Sequence, residues 1–594
     1  MSILASLTRA YTRLKDVPPF GYSKLEVGFC IVLRPDGQLA FDPIDLRTTN
    51  KKRAVGPKKI LPTPLVQRTS GIKPNFLWDK TSYSLGISSK ESDRIGEQHH
   101  EFVSFHKKWL ADTNDDGLIV FRRFLDWWRP DFAKGQKWES EIKDQNVVFA
   151  LVENYHSEYL HERDAAREVW DRILLSEETI EHVCLVTGQR DRIALSHPPI
   201  KNVDNAQSSG AFIVSFNDDA YRSYGHGAGD NAPVSEKAAF QYTAALNHFL
   251  ANDSGHRLKI GDASTVFWAD AEDAEAALLA EAVFPALFDP SDTEAGARDD
   301  VKILLERLQR GDQDIGDDLA LRAGELAEKV RKGVRFYVLG LAPNAARLSI
   351  RFYYESDFGD LLRNYQRFVD DMRIEPPWYD GFPSLYRYLL ETAVLRKKDN
   401  VPPNLAGEWM RSILNGTLYP ISLLSTVLMR IRADGEVNAL RVSMLKAVLT
   451  RNFKMEVPVA LDPNERDKGY VLGRLFAVYE EMQRAALGDR VNATIKDKFY
   501  AAASSTPGRV FPILENGSTN HLAKIRKVNY GRFFNLQKLQ EEIMDLLDPA
   551  DEPYPAYFSA REQAMFGLGY HHQHSAFRAR KNTQTEAFSG ETSE

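Results

Sequence analysis

The densest concentration of groups able to bind a partner lies between Gln207 and Ser235, in QSSGAFIVSFNDDAYRSYGHGAGDNAPVS. Ser208, Ser209, Asn217, Ser223 and Asn231 can each donate and accept hydrogen bonds, and Tyr224 adds a ring with a phenol. Glycines around Gly227 let a second backbone come close. Two readings stay open: a buried glycine-rich turn joining two layers, and a junction loop over Asn217–Asn231 whose backbone meets phosphates. A strand over Ala211–Phe216 is expected to carry the loop.

Cations supply the second kind of chemistry. Lys51, Lys52, Arg53, Lys58 and Lys59 are separated only by Ala, Val, Gly and Pro, which predicts a positive loop. Arg68, Thr69, Ser70, Lys73 and Asn75 follow, a guanidinium fork, two hydroxyls, an ammonium and an amide on a backbone held by Gly71 and Pro74. Arg and Asn read guanine and adenine in the major groove and reach acceptor edges in the minor groove, so this set suits duplex DNA. Phe76, Leu77 and Trp78 are expected to anchor it. Further on, Lys496, Lys498, Arg509, Lys524, Arg526, Lys527 and Arg532 meet only Asp497 and Glu515 between Val491 and Asn535. His521, Tyr530, Phe533 and Phe534 interleave, a mixture suited to single-stranded DNA, with cations on phosphates and rings under bases. The plainer alternatives are solvated cations and rings belonging to a helical core.

Catalytic chemistry is hard to find. There is no Walker A pattern and no HExxH. The glycines of Gly225–Gly229 are misspaced for a dinucleotide fingerprint. His571, His572 and His574 are expected at the surface. His156 and His161, near Glu162 and Asp164, are expected on a solvated helix face. Asp218 and Asp219 are expected in a simple turn. The chain is therefore expected to be no enzyme, with no catalytic residue, metal or cofactor.

These groups need elements to hold them. The 594 residues exceed what one core organises. Val27–Leu33, Val147–Val152 and Thr265–Trp268 are apolar runs between turn signals, expected as strands. Val334–Leu341 and Leu348–Tyr354 alternate as a hairpin, with Pro343 and Asn344 in its turn. Ser235 is expected to cap a helix whose Ala239, Tyr242, Leu246 and Phe249 share a face. From about 380 onward the period is helical: Leu424, Leu428 and Ile431; Leu440, Met444 and Val448; Leu472, Leu475, Phe476, Tyr479 and Met482. Ser559 and Glu562 make a capping box. The expected class is α+β: a mixed α/β body over 1–380 with short sheets, an all-α bundle over 381–580, and a disordered tail over 581–594. An acidic, partly helical insertion near 270–318 is expected to face solvent. Net charge is −7, so any nucleic-acid surface must be local. Two cysteines and an N-terminal helix (Leu4, Leu7, Tyr11, Leu14) without a cleavage site predict a cytoplasmic protein with no membrane segment.

Longer stretches carry a resemblance. RTSGIKPNFLWDKTSYSLG (Arg68–Gly86), CLVTG (Cys184–Gly188), HPPIKNV (His197–Val203), NAPVSEKAAFQYTAALN (Asn231–Asn247), TVFWAD (Thr265–Asp270), FYVLGLAPNAARLSIRFYY (Phe336–Tyr354), YVLGRLFAVYEEMQ (Tyr470–Gln483) and GLGYHHQ (Gly567–Gln573) together resemble the large subunit of the type I-C CRISPR Cascade, over nearly the whole chain. The resemblance implies a subunit of an antiviral complex in which crRNA reads the target by pairing. Such a subunit recognises the PAM, helps open double-stranded target DNA, stabilises the R-loop by supporting the displaced single strand, and aids recruitment of a separate helicase-nuclease. It implies further partners: the backbone, crRNA-processing foot and small subunits. It also implies that an internal start yields the small subunit from the C-terminal helices, with Met444, Met455, Met482 or Val471 as candidates and Met455 ranked above Met482. A metal-dependent nuclease and a stand-alone nucleic-acid-binding scaffold are the alternatives.

Overall fold

The structure is a computed structural model. It describes residues 2–15, 17–50, 53–64, 71–90, 92–176, 179–216, 218–221, 223–288, 333–378, 382–488, 493–548 and 550–590. The chain divides into two compact units, Met1–Ser254 with Pro343–Leu348, and Gly255–Ala342 with Ser349–Glu594.

The first unit is built on β2 (Phe29–Leu33) and β8 (Asn146–Leu151), paired in parallel from Phe29↔Val147 to Leu33↔Leu151. Antiparallel strands flank them, β3 (Ile44–Asp45) beside β2 and β7 (Trp78–Lys80) beside β8. Successive side chains leave a strand on opposite faces. Phe29, Ile31, Leu33, Val147, Phe149 and Leu151 therefore enter one apolar core with Leu118, Phe121 and Phe124. Cys30, Val32, Val148 and Ala150 enter another with Val27, Leu61 and Trp78. Burial on both faces explains why these strands read as unbroken apolar runs rather than alternating ones. The helices of this unit are α1 (Ile3–Tyr11), α2 (Thr81–Ser84), α3 (Arg94–Trp109), α4 (Asp116–Trp127), α5 (Glu139–Ile142), α6 (Asp164–Ser176) and α7 (Glu236–Phe249), of which α1 and α7 pack on each other. The Ser235 hydroxyl accepts from the Ala238 N–H at 3.2 Å and starts α7 as expected. Three two-stranded ribbons complete the unit: β1 (Tyr22–Glu26) with β6 (Lys58–Pro62), β4 (Thr48–Asn50) with β5 (Arg53–Val55), and β9 (Glu181–Val183) with β10 (Arg190–Arg192).

Ala211–Phe216 forms no strand. Gly210, at φ +97°, turns the chain just before it. Among the described residues only Ala211 and Phe212 then find single bridges, to Ile200 and Arg347. An apolar run makes a strand only where a partner ladder exists, and none runs alongside the rest of this one.

The second unit holds an antiparallel sheet in the order β11 (Arg257–Ile260), β12 (Ala263–Asp270), β13 (Arg335–Asn344), β14 (Arg347–Asp357). The hairpin turn falls at Ala345–Ala346, two residues beyond the expected Pro343–Asn344, with Ala345 in the left-handed region at φ +52°. Helix α8 (Ala274–Phe288) lies in the stretch expected as a solvent-facing insertion. Its Leu279, Val283, Phe284 and Leu287 are instead buried in the core with Phe267 and Phe336. The alanine-rich composition gives a helix, and the apolar sheet face draws it in. Residues 289–332 lie outside the described residues.

Ten helices follow among the described residues: α9 (Phe358–Met372), α10 (Leu385–Thr392), α11 (Pro403–Asn415), α12 (Ile421–Asp434), α13 (Ala439–Phe453), α14 (Lys468–Leu487), α15 (Ile495–Ala503), α16 (Pro507–Val528), α17 (Tyr530–Met544) and α18 (Ala560–Gly590). The class is α+β, with an all-α C-terminal part. The apolar core of this unit runs from Phe336 through Tyr365 and Trp409 to Phe476 and Phe566. The capping box forms, with Ser559 Oγ donating to the Glu562 carboxylate at 2.7 Å. Helix α18 continues past 581, where the sequence predicts disorder.

Candidate nucleic-acid interface

Lys73 is exposed on a segment whose base is fixed from below. The Asn75 N–H donates to the Asp79 carboxylate at 2.8 Å, the Leu77 N–H to His106 Nε2 at 2.9 Å, and the Trp78 indole to the Pro62 carbonyl at 2.6 Å. His106 Nδ1 lies 2.7 Å from the Phe102 carbonyl, so this nitrogen carries the proton and Nε2 accepts. Burial pushes the His106 pKa down to about 3, which keeps the ring neutral and this tautomer in place. Phe76 stacks on His106 with centroids 5.6 Å apart, and Leu77 is held at φ +60°. The anchoring role expected of Phe76, Leu77 and Trp78 is thus seen. Asn75 differs from expectation: only 6% exposed, it belongs to the anchor and has no side-chain access to a groove. Lys51, Lys52, Arg68, Thr69 and Ser70 lie outside the described residues, and Arg53 is described in its backbone only. Lys58 and Lys59 sit on β6 rather than in a loop, because the ladder with β1 claims their backbone. Lys58 is exposed, and the Lys59 ammonium stands 5.0 Å over the Tyr159 ring.

In the glycine-rich stretch Ser209, Ser223 and Gly227 are exposed, and Tyr224 is 100% exposed at φ +58°. The Asn231 amide donates to the Ala228 carbonyl at 3.1 Å. Asn217 lies outside the described residues. The close backbone approach expected near Gly227 occurs two residues later. A Cβ on Gly229 would stand 2.0 Å from the Ala194 carbonyl oxygen, whereas one on Gly227 would meet nothing within 4 Å. The stretch is thus packed at Gly229 and exposed over Tyr224–Gly227. Asp218 makes the expected turn, its carboxylate accepting from the Ala220 N–H at 3.2 Å.

The helical cations separate into two sets. Arg532 pairs with Glu481 at 2.7 Å, Lys496 stands 6.0 Å from the Tyr570 ring centroid, and Arg526 lies 5.7 Å over Phe533. Lys498, Arg509, Lys524 and Lys527 are exposed and have no carboxylate partner among the described residues. Arg509, Ile513, Asn516, Asn520, Lys524 and Lys527 recur every three or four residues along α16, so they share one exposed stripe. Tyr530 (63% exposed) and Phe534 (55%) lie beyond its end, with the Tyr530 ring 5.7 Å from that of Phe533. Ile513, Asn516 and Asn520 were not singled out from sequence, although their spacing relative to Arg509 was the available signal.

The histidines depart from expectation. His161 is buried in a short 3-10 turn (Leu160–Glu162), and desolvation pushes its pKa down to about 4. His156 lies in a turn rather than a helix. His571 and His572 are buried and His574 half-buried, with pKa values pushed down to about 4, 3 and 3 by desolvation first, and then by Arg578 for His571 and His574 and by His571 for His572. The Tyr470 hydroxyl meets His572 Nδ1 at 2.9 Å. The cause is close approach of α14 and α18: Gly469, Gly473 and Gly569 let the two backbones touch and shut water out. Among the described residues no group of three or more His, Cys, Asp or Glu side chains is placed to hold a metal ion. No described helix is long and apolar enough to cross a membrane.

Compared with known families, residues 7–578 match the family model described as CRISPR-associated protein (Cas_Csd1). No curated protein gives a match.

Proposed function

Because the chain belongs to the Csd1 family of CRISPR-associated proteins, and so to a multisubunit Cascade-type complex with crRNA and other subunits, we propose that it is the non-catalytic large subunit of a type I-C complex. In this reading it inspects the PAM, helps open the duplex, supports the displaced strand and assists recruitment of a separate helicase-nuclease. Guide pairing reads the long sequence, which leaves the protein a short motif to read, as in another RNA-guided effector.

The observation that carries the reading is Lys73 on its anchored segment. A cation that reads a groove edge must be offered without much loss of chain entropy on binding. The Asp79, His106 and Pro62 contacts immobilise the backbone just behind it. The exposed cations and rings of α16 and α17 supply the other requirement, phosphate contacts and stacking surfaces for a single strand.

An internally started small subunit fits the same reading. Met455 follows the end of α13, after Lys454 at φ +58°, so a start there keeps α14 to α18 whole. Met444 lies inside α13, and Val471 and Met482 lie inside α14.

The test uses the complex assembled with crRNA and its other subunits. Lys73→Ala is expected to weaken binding to PAM-bearing duplex by about 1–3 kcal/mol. Binding to a pre-opened target should change much less, since inspection is bypassed. Equal weakening on both targets would make the segment an assembly element.

A further inference from the structure

Three lysines from three separate segments of the first unit converge on one groove of about 800 Å³: Lys24, Lys58 and Lys201. Among the described residues none of the three forms an ion pair, and the one carboxylate on the groove's lining is Asp253, which is exposed. Glu26, opposite Lys58 in the β1–β6 register, makes no ion pair with it. The chain carries 83 acidic against 76 basic residues, yet no described acid forms an ion pair with these ammonium groups. Three like charges around one concavity repel each other and attract a polyanion.

The walls hold these charges in place. Lys201 lies in an irregular segment tied to α7: Asn247 Oδ1 accepts from the Lys201 N–H at 2.7 Å and Asn247 Nδ2 donates to the Pro199 carbonyl at 3.1 Å. His197 Nδ1 meets the Tyr242 hydroxyl at 2.6 Å and pins the start of the same segment. Across the groove, among the described residues β1 pairs with β6 alone, so no strand covers its other edge at Lys24. The bonds Thr63 N–H to Gly21 O (2.8 Å) and Val27 N–H to Pro57 O (3.0 Å) fix which residue pairs in the ribbon exchange hydrogen bonds. By that alternation Lys24 and Ile60 form a non-bonded pair, and the Lys24 N–H faces the open edge. Lys24 thus offers a backbone donor beside its ammonium, the combination that holds a phosphate. Tyr22 and Phe240 line the groove half-buried. Edge-on contacts to Tyr11 and Phe20 at 6.1 and 5.6 Å set the Phe240 ring. A cationic groove with rings in its wall matches an extended single strand, whose bases are free to stack.

We propose that this groove binds single-stranded nucleic acid, with phosphates on Lys24, Lys58 and Lys201 and base contact at Tyr22 or Phe240. The site goes beyond PAM inspection and does not depend on it. The test is fluorescence anisotropy of the full chain with labelled oligo(U) RNA, oligo(dT) DNA and a blunt duplex over a salt series. Lys24→Ala, Lys58→Ala and Lys201→Ala together are expected to lower the slope of log K against log salt for single strands by about 2, at about 0.7 for each phosphate held. The corresponding triple Lys→Arg variant should bind like the unchanged chain, which separates lost charge from lost fold. A reduced slope on both single strands, or on one alone, supports the site and says which strand it takes. No single-strand binding by the unchanged chain, an unchanged slope in the Ala variant, or a loss confined to the duplex would overturn it. The Lys73→Ala measurement reads PAM-bearing duplex instead, so either idea can fail without the other.

Discussion

Replacing Gly473 by Ala tests the seam on which the C-terminal helices rest. A Cβ at Gly473 would lie 2.1 Å from the Phe566 carbonyl oxygen and 2.8 Å from the Tyr570 nitrogen. Both are backbone atoms and cannot rotate aside. Restoring an ordinary contact of 3.4 Å requires α14 and α18 to part by about 1.3 Å. That movement loosens Phe476 against Phe566 and Tyr570, now 5.7 and 5.9 Å apart, and the Tyr570 hydroxyl's bond to Glu480 at 2.7 Å. Overpacking costs about 1–3 kcal/mol where side chains can yield, so two backbone neighbours place this case near the top, about 3 kcal/mol. Ala gains back about 1 kcal/mol because glycine is a poor helix former. The expected net loss is about 2 kcal/mol. Gly517, mid-helix in α16 with nothing within 4 Å of a Cβ, is the control. Gly517→Ala should stabilise by up to about 1 kcal/mol from propensity alone. Urea unfolding of the full chain, followed by far-UV circular dichroism, should move the two midpoints in opposite directions. If Gly473→Ala shifts the midpoint upward like Gly517→Ala, the helices do not touch there and the seam argument is wrong.

The remaining predictions concern binding and pH. Replacing Lys524, Arg526 and Lys527 together by Ala should weaken single-strand binding similarly across sequences and flatten its salt dependence by about 0.7 for each phosphate no longer held; an unchanged slope would mean these cations face solvent or a protein neighbour. His106 takes its proton near pH 6.5 when unfolded and near 3 when folded. The unfolded chain therefore binds more protons between those values, and stability, fully present above pH 6.5, is lost as pH falls, by up to about 1.4 kcal/mol per pH unit. Urea midpoints measured from pH 7 to 4 should fall less steeply in His106→Gln, and parallel slopes would show that His106 titrates alike in both states. Gly227→Val should leave the fold intact and impair target binding by the assembled complex, while Gly229→Val should unfold the region against the Ala194 carbonyl; normal target binding by Gly227→Val would return the stretch to a purely structural role.

Much of the local structure was legible in the sequence because local hydrogen bonds and side-chain periodicity decide it. Ser235 and Ser559 cap helices through groups three residues away. The runs at Phe29 and Val147 are strands because continuous apolar sequence suits a strand buried on both faces. The stripe from Leu472 to Met482 is buried because its period matches a helix. Cation-rich stretches and a glycine-rich stretch were equally visible, but which glycine is crowded was not: the close approach falls at Gly229, against the Ala194 carbonyl, and not at Gly227. What the sequence left undecided depends on residues far away along the chain. Asn75 is buried because Asp79 takes its N–H in a sheet completed by Val148. Ala211–Phe216 is no strand because no ladder runs beside it. His571 and His572 are dry because glycines on two helices about a hundred residues apart bring the backbones together. Lys24, Lys58 and Lys201 form one groove only after β1, β6 and the segment before α7 have folded together. Spacing along the chain sets which face of an element a side chain takes; what that face meets, water or another backbone, is set by long-range packing.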